Sequence, residues 1–219
     1  MNGAKLLLSY GTAAGCLGGL AKLAWGTIKN DGITQLAIRS MITTLLVFCF
    51  FQVLPHYPVG VSEVHFILGS TLFLMFGLAP AAIGLALGLL IQGLLFSPFD
   101  LPQYGMNITT LLVPLMAVAL VADKIIPKNT AYKDVSYKQT LALSAAYQGG
   151  VVSWVAIWAF YGQGFGAETL SQVGLFGGAY MMVIIVEPLA DLAILGAAKT
   201  LHQLKDSPLF HDRLYRAGV

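Results

Sequence analysis

Long apolar runs broken by short polar ones set the rhythm of this chain. Seven runs read as helices, over residues 4–25, 33–54, 64–78, 81–96, 108–122, 140–161 and 170–198. The third and fourth fall short of the ~20 residues that comfortably cross ~30 Å of hydrocarbon. They are predicted to fold back on each other at Ala79 and Pro80, with broad polar mouths at 55–63 and 97–107. Irregular backbone at membrane depth survives only where it lines a cavity or is buried in protein, so these mouths predict a vestibule. The vestibule collects Glu63, His65, Asp100, Gln103 and Asn107 at one end of an otherwise apolar bundle. Pro114 is predicted to kink the fifth run and Pro188 to interrupt the seventh.

Composition turns that pattern into a class. The chain has 219 residues, 57% hydrophobic and 10% charged, against ~25% charged in an ordinary soluble domain; its mean hydropathy is +0.77. The reading is an all-α integral membrane protein of about seven transmembrane helices. It forms a single multi-pass domain over 1–219, with 199–219 as a tail, in the cell's inner membrane and bathed by lipid. The loops at 55–63, 97–107 and 162–168 carry no Lys or Arg. Lys29, the four lysines from Lys124 to Lys138 and the tail (Lys199, Lys205, Arg213, Arg216) make up nine of the chain's 12 Lys and Arg. The basic side is cytoplasmic, which puts the N-terminus outside and the C-terminus inside, with Lys5 as the exception. No small-residue cleavage site follows the first run, so it is expected to stay as a helix. A net charge of +2 gives no reason to expect nucleic acid. Cys16 and Cys49 lie inside apolar runs without C-x-x-C spacing and read as buried thiols.

Few side chains can carry chemistry. His65 opens the third run; a neutral imidazole is a common ligand for nickel, copper and zinc, though a lone His near a membrane interface is more often structural. Glu63 either orients His65 or caps the helix. Asp100, Gln103 and Asn107 offer oxygens on the facing loop, too few carboxylates for a calcium cage, and satisfying the loop backbone is the simpler role for Gln103. Within the membrane stand Arg39, Glu187 and Asp191. The two acids are four apart and share a helix face. Arg39 and Asp191 lie at matching depth and are expected to pair, while Glu187 has Gln148 as a possible partner. His56 reads as solvated; His202 and His211 fall on the opposite side from His65. No G-x-x-x-x-G-K-[ST], G-x-S-x-G or H-E-x-x-H is present, so the chain reads as a non-enzyme with no ATPase of its own.

The run G-V-S-E-V-H-F-I-L-G, the Ala-Pro turn, Q-G-L-L-F, Y-G-M-N and V-E-P-L-A-D-L together resemble the membrane-embedded substrate-binding (S) component of cobalt/nickel energy-coupling factor ABC transporters, the CbiM/NikM family. The resemblance covers roughly residues 33–198. It implies a permease subunit that captures Co(II) or Ni(II) from outside as transported ligand, with no permanent cofactor. A transmembrane coupling (T) component and a cytoplasmic ATPase pair would be its partners. The family holds its metal on nitrogens: the terminal amine, the amide and imidazole of a His at position 2, and a second His. Carried over, the metal ligands are Met1 and His65, and the loop Asn is Asn107. Position 2 departs from the pattern, being Asn2. Either binding differs here, or Met1 is an internal methionine of a longer reading frame. Two other classes stay open: a proton-coupled secondary transporter using Glu187 and Asp191, and a non-transporting assembly subunit.

Overall fold

A computed structural model of the protein describes residues 3–203. The described residues form seven α-helices and one short hairpin: α1 (Gly3–Asp31), α2 (Ile33–Gln52), β1 (Tyr57–Val59), β2 (Ser62–Val64), α3 (Gly69–Phe76), α4 (Leu78–Leu95), α5 (Tyr104–Ile125), α6 (Tyr137–Gln163) and α7 (Ala167–Gln203). Six of the helices are long and apolar enough to cross a membrane. The protein is a multi-pass, all-α membrane protein.

Small residues bring the helices together. An added Cβ on Gly84 or Gly88 of α4 would run into Thr43 and Val47 of α2, and Thr43 Oγ1 donates to the Pro80 carbonyl at 2.7 Å. Lipid offers no hydrophobic drive between helices, so such close approach supplies the packing energy. Between α5 and α6, the indole N–H groups of Trp154 and Trp158 both donate to Thr109 Oγ1, at 3.1 and 3.2 Å. Ser136 and Gln139 build a reciprocal capping box at the start of α6.

The third crossing differs from the expected helix over 64–78. The hairpin turns at Gly60, whose φ of +59° suits the first position of a two-residue turn and whose open side packs on the Gln172 carbonyl of α7. From there the chain runs without helical structure to Leu68 and only then becomes helical, for the 8 residues of α3. The geometry closes. Residues 60 to 67 in extended form cover ~23 Å, and residues 172 to 187 of α7 cover ~22 Å. The strap 66–68 therefore meets α7 at Glu187.

Three other boundaries move. The fold-back between α3 and α4 lies at Gly77, φ +93°, while Pro80 sits in the first turn of α4, where a missing N–H is harmless. Asn107 lies in the first turns of α5, not in a loop. Pro188 does not interrupt α7, and α5 likewise runs through Pro114. Membrane helices keep such prolines because neighbours re-satisfy the freed groups.

Candidate functional site

Glu63, His65, Asp100, Gln103 and Asn107 all line one cavity of about 440 Å³. Gln163, at the end of α6, lines it too, so the three loops without Lys or Arg share one end of the bundle. Lys5, near the start of α1, adds a cation to the same wall.

His65 is the most elaborated of these residues. Its side chain is 20% exposed, and its Nε2 stands 3.4 Å from Glu63 Oε2. The carboxylate favours the proton on that nitrogen. The other nitrogen, Nδ1, is buried and has no hydrogen-bond partner. Phe51, buried at the end of α2, supports one side of the ring at a centroid distance of 5.0 Å. With the proton on Nε2, the ring keeps an unshared lone pair on Nδ1. That is the form in which imidazole ligates a metal.

His56, read from the sequence as solvated, is partly exposed and also has a ring neighbour. Its ring lies 5.8 Å from that of His65 with planes 22° apart, because the hairpin returns the chain and pairs Tyr57 with Val64. Two residues flanked by prolines gave no helical or strand pattern from which this return could be read.

Below the cavity lies a second polar cluster. Glu187 accepts from the backbone N–H groups of Ile67 and Leu68, and Asp191 accepts from Ser70 Oγ at 2.9 Å and Thr71 Oγ1 at 2.5 Å. Both acids are fully buried. The expected Arg39–Asp191 pair does not form. Arg39 reaches back along α2 to Asp31 at 2.8 Å and to Gln35 at 2.9 Å. Its partner is the polar turn, since α2 packs on α4 while α7 packs on α6. Glu187 instead holds the unwound strap, supplying acceptors that it cannot find in its own backbone, while Asp191 holds the hydroxyls that open α3. Gln148 faces Glu187, as the sequence suggested.

Among the described residues, no group of three or more His, Cys, Asp or Glu side chains forms a ready metal cage. Met1 lies outside the described residues, as do Asn2, His211, Lys205, Arg213 and Arg216. His202 lies near the far end of α7. Cys16 and Cys49 are free and partly buried.

The profile of the cobalt uptake substrate-specific transmembrane region, CbiM, matches residues 4–203. The chain belongs to the CbiM family. No curated protein and no solved structure matches it. As a CbiM-family protein it is a substrate-specific membrane component of cobalt uptake, and the cavity around His65 is the natural candidate for where a CbiM-family chain meets its cargo. Hydropathy could not reveal two of this site's features, the His56 ring and the strap anchored on Glu187.

Proposed function

We propose that this chain captures a bare divalent transition-metal ion, Co(II) or Ni(II), at the cavity mouth and serves as the substrate-binding subunit of an energy-coupling factor transporter. The observation that carries the reading is the buried, unpartnered Nδ1 of His65, on a ring whose Nε2 faces Glu63. Metal-ligating histidines nearly always present their second nitrogen to such an acceptor. Nitrogen donors suit cobalt and nickel better than calcium or magnesium. Met1 would add its amine. Asn107 and Asp100 would orient water or ligand groups from the opposite wall. The mouth faces outward, as the distribution of basic residues implies, with the chain in the inner membrane and its C-terminal tail inside. A transmembrane coupling subunit and a pair of cytoplasmic ATPases would then drive release inward, because the chain carries no phosphate-binding loop of its own.

Proton-coupled transport by Glu187 and Asp191 has less support, since their oxygens are engaged by the strap and by α3. Cobalt uptake by cells separates the readings. Expressed with a coupling subunit and ATPase pair, the chain should accumulate cobalt in a way that a Walker-lysine substitution in the ATPases abolishes. Uptake by the chain alone that collapses with the proton gradient would overturn the proposal.

A further inference from the structure

His56 and His65 carry the same signature. A backbone carbonyl can only accept, so His56 Nδ1, 3.1 Å from the Leu54 carbonyl, must bear the proton. That leaves the lone pair of His56 on Nε2. His65 is arranged the other way round, with the Glu63 carboxylate beside Nε2 and a buried, unpartnered Nδ1. In each ring one nitrogen is anchored by an acceptor from the surrounding chain and the other is free to donate to a metal. An acceptor of this kind sets the tautomer and orientation of metal-ligating histidines.

The spacing suits a shared ion. With metal–nitrogen bonds of ~2.0–2.1 Å, two imidazoles on one ion have centroids roughly 4.5–6.4 Å apart, from cis to trans. The observed centroid separation, 5.8 Å, falls within that range. The hairpin fixes this separation: Tyr57 pairs with Val64, one residue inside each histidine. Phe51 also packs against the His65 ring, at a centroid distance of 5.0 Å.

We propose that His56 is a second imidazole ligand to the captured metal, so that the hairpin base is a two-histidine clamp. The assignment rests on the capture reading above. It supplies two nitrogens. Among the described residues no group of three or more His, Cys, Asp or Glu forms a cage, so the remaining positions are open to water. A clamp of two imidazole nitrogens favours borderline ions such as Co(II), Ni(II) and Cu(II) over Mg(II) and Ca(II).

The test uses the purified full chain in detergent, with Cu(II) as a paramagnetic probe and Co(II) for affinity. Electron spin echo modulation counts coordinated imidazoles through their remote nitrogens. The proposal expects two in the unsubstituted protein and one in either His56→Ala or His65→Ala. It also expects His56→Ala to weaken Co(II) binding by roughly tenfold or more and to shift the visible Co(II) absorption. The imidazole count in the unsubstituted chain stands even if a variant fails to fold. A count of one there, lost in His65→Ala and unchanged in His56→Ala, overturns the clamp while leaving capture at His65 intact. A chain that binds neither ion at this mouth overturns the capture reading itself, and the clamp with it.

Discussion

Ile67 and Leu68 are buried and lie outside any helix, and Leu68 sits in the left-handed region at φ +52°. Their N–H groups end on one carboxylate, that of Glu187. Each buried donor left unpaired costs about 1–3 kcal/mol. Glu187→Leu should therefore lose several kcal/mol, seen as a clear fall in melting temperature in detergent, while Glu187→Gln retains an acceptor oxygen and loses less. Equal melting of the leucine variant and the parent would show that the strap finds its partners elsewhere. Part of this was legible in the sequence. A buried acid pair at i and i+4 announced itself as functional or structural, and Gln148 was a visible neighbour. What Glu187 bonds to was not legible, because it serves backbone groups of a segment that hydropathy reads as helix. Arg39 illustrates the same limit. Matching depth along two helices says nothing about which helices are neighbours, and this arginine turned to Asp31 on its own side.

Helices were the readable elements, because a run of twenty apolar residues in lipid has few other options. The 64–78 run was the exception. A short apolar stretch does not separate extended chain from buried helix, and only the seated α7 with its carboxylates makes a non-helical crossing affordable. Glycines record where such elements press together. Any side chain on Gly69 would enter the Tyr147 ring, and one on Gly84 would enter Thr43. Gly84→Leu should push α4 off α2 and break the Thr43–Pro80 bond. Overpacking of this kind costs about 1–3 kcal/mol. The expected result is a lower melting temperature, with Gly149→Leu on α6, which has open space at its Cβ, as the unaffected comparison. If both variants melt alike, close packing of α2 on α4 does not hold the bundle.

At the scale of the whole molecule, three loops far apart in sequence open onto one cavity. That convergence was anticipated from the alternation of basic and non-basic loops, as were Glu63, His65, Asp100, Gln103 and Asn107 as its lining. The His56 contact came only with the hairpin. The bundle thus reads as a cup: a polar mouth on one end, a strap and two buried carboxylates beneath it, and an apolar exterior suited to lipid. The central claim is that the mouth holds a transition metal through His65. Calorimetric titration of the purified chain with Co(II), beside His65→Ala, tests it most directly. One ion bound per chain, lost or weakened at least about tenfold in His65→Ala, is the predicted result. Equal Co(II) binding by the two proteins, or no stoichiometric binding by either, would contradict it.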